Sequence, residues 1–154
     1  LNGNAVIRQG LDWLLANAAG DALPLVQFHD GGDAGPGPHI LPAPGASAAR
    51  AALRALLQLR QRGLREPLRF APYTGWVLFT APVEKQRSEG WKQWHGSDRS
   101  WGEANSDAWQ LLLRGADPFA DDESYADLLR NSQIVFGAVR DGRGPAGTGK
   151  EAQA

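Results

Sequence analysis

Six arginines and one glutamate fall between Arg50 and Arg69, in a chain of 154 residues whose formal net charge is only −1. Guanidinium groups at that density attract phosphate or a carboxylate-rich partner, because each is a permanently charged planar fork of donors. A block of opposite sign follows: Glu103 to Asp127 holds seven acids and one arginine. Two uses of the arginines are open. Either the two blocks meet inside the fold and the remaining charges are solvated, or Arg50, Arg54, Arg60, Arg62 and Arg65 face a nucleic acid or a partner protein. Six tryptophans supply a second recognition chemistry, since bases stack on indole rings. At helical spacing such rings are ordinarily core. Trp101, in a polar loop beside Gly102, is the one expected at the surface.

Patterns for catalysis are weaker. Gly144-Pro145-Ala146-Gly147-Thr148-Gly149-Lys150 matches the glycine and lysine positions of a phosphate-binding loop, but Glu151 stands where a Ser or Thr must hold magnesium and no helix follows. His29, His39 and His95 lack ligand spacing, and Asp30 and Asp33 near His29 read as turn formers. Ser88, Ser97, Ser100 and Ser106 lie outside any nucleophile motif. A two-metal nuclease wants a strand Asp and then an acid, one residue and Lys; Glu84-Lys85 lacks the spacer. The residues therefore assign no catalytic group, no metal ligand and no cofactor to this chain.

The elements that must hold the arginines follow from periodicity. Ser47 is a plausible cap for a helix in which Ala49, Leu53, Leu56 and Leu57 recur at helical spacing; Arg50, Arg54, Gln58, Gln61 and Arg62 take the other face. Arg60 falls on the apolar arc, so its stem is expected to be partly buried. Gly63 stops that helix and the chain turns through Leu64 to Pro72. Upstream, Asn4 is expected to cap a helix reaching Ala18, with Ile7, Leu11, Leu14 and Leu15 on one face and Val6 and Trp13 on the other, a pattern for a helix covered on both sides. Leu23 to His29 and His39 to Leu41 read as strands of an antiparallel hairpin around a Gly- and Pro-rich loop.

Downstream, Tyr73, Trp76 and Phe79 at spacings of three suggest a short helix, with a strand through Trp76 to Thr80 as the competitor. Val83 to Trp94 continues as a helix, and Ser106 or Asp107 caps another that Gly115 ends. Asp117-Pro118-Phe119 is a turn before a last helix whose acidic start suits the macrodipole. Residues 1–140 are expected to form one domain and 141–154 a frayed tail. The fold class is α+β, mostly helical around a small antiparallel hairpin.

Composition fits that picture. A chain of this length buries roughly two-thirds of its unfolded surface, enough for an independent core. No apolar run approaches a membrane span and no cysteine is present, which predicts a soluble protein of a reducing cytoplasm. The absence of any Met suggests a piece of a longer protein.

Gly63-Leu64-Arg65-Glu66-Pro67-Leu68, then Phe70 and Pro72, with Thr74 and Trp76 after them, resembles the C-terminal domain of the gamma subunit of bacterial exodeoxyribonuclease V, the RecC family of RecBCD-type helicase-nucleases. Arg69 and Ala71 depart from the family pattern, which carries Pro and Phe there. Leu11-Asp12-Trp13-Leu14-Leu15, Trp91 and Trp94 with Gly96, Gly102-Glu103, and Leu113 through Phe119 are similar to further family segments in the same order.

The resemblance implies part of a restriction-endonuclease-like nuclease fold that has lost its metal-binding acids. It also implies a non-catalytic scaffold and strand-guiding role in double-strand-break repair and recombination. Its partners would be the beta and alpha subunits and single-stranded or forked DNA, with ATP and magnesium acting on other subunits. The alternative is an independent Trp- and Arg-rich module that binds protein or nucleic acid.

Overall fold

A computed structural model describes residues 2–29 and 37–144. In chain order the elements are α1 (Gly3–Ala19), β1 (Leu25–His29), β2 (Gly37–Leu41), α2 (Ala46–Gly63), α3 (Pro72–Thr80), α4 (Gln86–His95), α5 (Asp107–Leu113) and α6 (Asp122–Asp141). Short 3-10 turns at Val83–Lys85 and Glu103–Asn105 lead into α4 and α5. The architecture is α+β, with helices dominating and β1 and β2 paired antiparallel from Leu25 with Leu41 to His29 with Gly37.

α6 is the centre of the molecule. It contributes Leu128 to a cluster with Ala71, Leu78, Trp94 and Phe119, and Ala138 to one with Leu14, Ala49 and Ala52. Phe136 and Val139 form a third cluster with Val6, against which Phe70, Trp76 and Phe79 pack. Asp121 starts this helix: its carboxylate accepts from Ser124 N–H at 2.7 Å and from Ser124 Oγ at 2.9 Å. Those hydrogen bonds hold the Asp121 carboxyl below its ordinary value.

Small residues set the helix crossings. A Cβ on Gly3 would run into Pro72 O, and one on Gly10 into Val139 O, so α1 lies against α3 and α6 at backbone distance. Gly75 meets Ser132 of α6, and Gly90 lets α4 settle on Leu78 of α3. α2 approaches through Ala49, Ala52 and Ala55 in place of a row of leucines. Helices that meet through Gly and Ala bring more atoms into van der Waals range than bulky ridges would allow.

Several expectations are corrected by this packing. α1 is capped by Asn2, whose side chain accepts from Ala5 N–H at 3.0 Å, and Asn4 lies inside the helix. Its buried stripe is Gly3, Val6, Gly10, Trp13, Leu14 and Asn17, while Leu11 and Leu15 face outward, so the helix is covered on one side. Gly45, and not Ser47, occupies the N-cap position of α2; Leu57 is 58% exposed, and Arg60 is exposed because Leu59 takes the inward position beside it. The stretch Trp76 to Thr80 is helix, since Leu78 and Gly75 must both face α6 and α4.

The last helix ends close to the expected domain boundary. α6 continues to Asp141, Gly142 takes the left-handed cap with its N–H on Ala138 O, and a Cβ there would meet Pro44 and Trp13. The phosphate-loop-like residues Pro145 to Lys150, the rest of the expected tail, and Asp30 and Asp33 of the hairpin loop lie outside the described residues. No helix among the described residues is long and apolar enough to cross a membrane.

Candidate nucleic-acid interface

The arginine block divides into an inward and an outward part. Arg62 lies in the last turn of α2, where the helix faces α6. Its Nη2 donates to Asp127 Oδ1 at 3.1 Å and to Asn131 Oδ1 at 2.9 Å. Its Nε lies 3.2 Å from Glu66 Oε1. Asp127 also draws Arg69 at 3.9 Å and Arg130 at 3.7 Å. Fully buried Asn131 donates through Nδ2 to Arg69 O at 2.9 Å. The basic and acidic blocks therefore meet at Asp127, and the meeting fixes the path of the chain leaving α2.

The outward part is Arg50, Arg54, Arg60 and Arg65, all exposed. Arg50 and Arg54 stand one turn apart on the same ridge. Arg50 Nε donates to Ala18 O at 2.9 Å, satisfying a carbonyl in the last turn of α1 while its charge stays at the surface. Arg60 sits on the flank of the ridge, and Arg65 follows beyond the C-cap of the helix at Leu64. The helix C-terminus adds favourable potential for these cations through its dipole.

Trp101 is placed elsewhere. It is 56% exposed and meets Tyr73, the second residue of α3, edge to face with ring centroids 6.4 Å apart. The loop that carries it is closed tightly, with Gly96 and Gly102 in backbone contact and Ser97 paired with Ser100. Trp101 thus shares no element with the arginines, and its ring contact is with α3. Trp91 is a second exposed indole, stacked on His95 with centroids 4.3 Å apart.

A buried carboxylate supports the start of α3. Glu103 is buried, and its carboxylate accepts from Tyr73 N–H at 3.2 Å and Thr74 N–H at 2.7 Å. Those are orphan donors at the start of α3, behind Pro72, so a residue about thirty positions away supplies the cap. No local pattern signals such a contact. His95 is likewise used structurally: Nε2 lies 3.0 Å from Asp117 Oδ2 and Nδ1 3.1 Å from Trp91 O, tying the end of α4 to the Asp117-Pro118-Phe119 turn. Ser97 Oγ and Ser100 Oγ bond each other at 2.8 Å. Among the described residues no three His, Asp or Glu side chains are grouped to hold a metal ion.

Two of the segments behind the resemblance, Gly63 to Pro72 and Gly102-Glu103, meet at one place. Leu68 packs on Gly63, Phe70 lies 6.0 Å from Phe136 centroid to centroid, Pro72 begins α3, and Glu103 caps that helix. They build the corner between α2 and α3 and brace it on α6. Compared with family models, residues 1–82 match the RecC C-terminal domain. No curated protein matches the chain.

Proposed function

We propose that this chain, which belongs to the RecC C-terminal domain family, is a non-catalytic scaffold and strand-guiding part of a RecBCD-type helicase-nuclease in double-strand-break repair and recombination. Its role is to hold partner subunits and to offer a cationic surface to DNA, with ATP and magnesium acting on other subunits, in the cytoplasm. The derivation from a restriction-endonuclease-like nuclease that has lost its metal acids belongs to this reading and rests on the resemblance. One observation carries the DNA contact. After Arg62 is committed to Asp127 and Asn131, Arg50, Arg54, Arg60 and Arg65 remain at the surface along and just beyond one helix.

Phosphate contacts release counterions, so affinity must fall with salt, by about 0.7 log units per log unit of salt for each phosphate on a single strand. Binding of single-stranded and forked DNA by the chain is expected to show such a slope. Combined Arg54→Glu, Arg60→Glu and Arg65→Glu substitution is expected to remove it while leaving the far-ultraviolet spectrum and melting temperature unchanged. Unaltered DNA binding by the triple variant, or a chain that binds neither DNA nor the beta subunit, would sink the proposal.

A further inference from the structure

α2 carries apolar residues on two sides. Ala49, Ala52, Ala55 and Leu59 are buried against the body of the fold. Leu57 and Leu64 are 58% and 70% exposed. At about 100° per residue, Arg50, Arg54, Leu57, Gln61 and Leu64 fall within an arc of about 80° that lies nearly opposite the buried residues, and all five are exposed. Arg60 and Arg65 flank this stripe. Leu64 keeps helical backbone angles and donates its N–H to Arg60 O, so the stripe continues through the C-cap. The two leucines stand a heptad apart, one above the other at about 10 Å along the helix.

Single surface leucines are ordinary, but a heptad pair set among unpaired cations has the form of a helix-docking seam. α2 holds no acidic residue from Ala46 to Gly63. Arg54, Arg60 and Arg65 have no carboxylate partner among the described residues, and Arg50 donates to the Ala18 carbonyl, which leaves its charge uncompensated. Whatever covers the leucines must therefore be acidic. A second copy that paired α2 with α2 would set arginines against arginines. Residues 145–154 contain Pro and Ala as their apolar side chains, with one Lys and one Glu, so they supply neither an anchor nor the charge. A nucleic-acid strand brings the charge without an apolar surface for Leu57 and Leu64.

We infer that the outer stripe of α2 docks an acidic amphipathic helix of a partner subunit, with apolar side chains over Leu57 and Leu64 and carboxylates facing Arg50, Arg54, Arg60 and Arg65. The inference rests on the reading above that the chain holds partner subunits, and deepens it by naming the docking element and the partner's chemistry. Apolar anchors at heptad spacing with opposite charges along the flanks are the usual terms on which two helices pair. The face is then a shared one. A docked helix takes the arginines that phosphates would otherwise take, so the partner helix and DNA exclude each other there.

The test uses the intact chain and a synthetic peptide of about three heptads, with Leu at the a and d positions and Glu at e and g, whose like charges keep it from pairing with itself. A second peptide has Lys in place of Glu. The acidic peptide is expected to bind, more weakly as salt rises, and to displace single-stranded DNA; the basic one is expected not to bind the chain. Leu57→Ser with Leu64→Ser is expected to lower the acidic peptide's affinity about tenfold or more, and to weaken assembly with the beta and alpha subunits, while the melting temperature and the salt slope of DNA binding stay those of the parent protein. An acidic peptide that does not bind, equal affinity for the leucine variant, undiminished assembly, or DNA affinity lost together with the peptide in that variant overturns the inference. If the peptide does not bind while the α2 triple variant still loses DNA, the docking assignment fails and the functional reading stands. If the peptide binds and DNA does not, the DNA contact fails and the docking stands.

Discussion

Glu103 illustrates how one side chain can carry a corner of the fold. Its carboxylate is buried and takes the N–H groups of Tyr73 and Thr74, so removing it strands one buried and one partly buried donor. Hydrogen bonds to a charged acceptor contribute about 1.5–3 kcal/mol, and Glu103→Ala is expected to cost roughly 2–4 kcal/mol by urea denaturation. Glu103→Gln should cost less, because one amide oxygen can still accept while its NH₂ opposes the second donor. Equal stability of all three proteins would mean that water replaces the cap. The Gly102-Glu103 pair belongs to the family resemblance, yet the sequence carries no local sign of its purpose, because the donors it serves are 29 and 30 residues away.

At the scale of elements, α1 shows what apolar periodicity misses. Counting large side chains puts Leu11 and Leu15 on a core face, whereas both are exposed and the contact stripe runs through Gly3, Gly10 and Asn17. Asn17 is buried because its Nδ2 donates to Leu23 O at 3.0 Å and to Trp13 O at 2.9 Å, and Trp13 Nε1 shares Leu23 O at 2.8 Å. Gly10→Ala would force α1 away from Val139 and is expected to destabilise the fold by about 1–3 kcal/mol, the usual range for overpacking. A variant melting like the parent protein would show that the crossing is loose. The hairpin was legible in outline, with β2 starting at Gly37 instead of His39. One face, Val26, Phe28, Pro38 and Ile40, points to solvent, and Phe28 is 78% exposed.

For the whole molecule, the decisive feature is the division of the arginines. Arg62 is half-buried and bridges α2 to Asp127 and Asn131 on α6, while Arg54, Arg60 and Arg65 are exposed. Arg62→Ala is therefore expected to lower stability by about 1–3 kcal/mol and to leave the salt slope of DNA binding close to that of the parent protein. The surface triple variant should do the reverse. Loss of DNA affinity in a folded Arg62→Ala protein would contradict the division. The same division explains why charge counting left the question open: it registers six like charges in one stretch and cannot tell which of them the fold neutralises.

The sequence by itself determined the helical character of the chain, the antiparallel hairpin, the acidic start of α6, the turn at Asp117 to Phe119 and the family to which residues 1–82 belong. These depend on local periodicity, capping and turn chemistry, or on motifs short enough to read in order. Only the tertiary structure decided which residues are buried at the crossings, which carboxylate Arg62 meets, and what Glu103 caps. Each of these is a contact between positions far apart in the chain, and local pattern carries no information about which distant backbone will arrive opposite a given glycine or carboxylate.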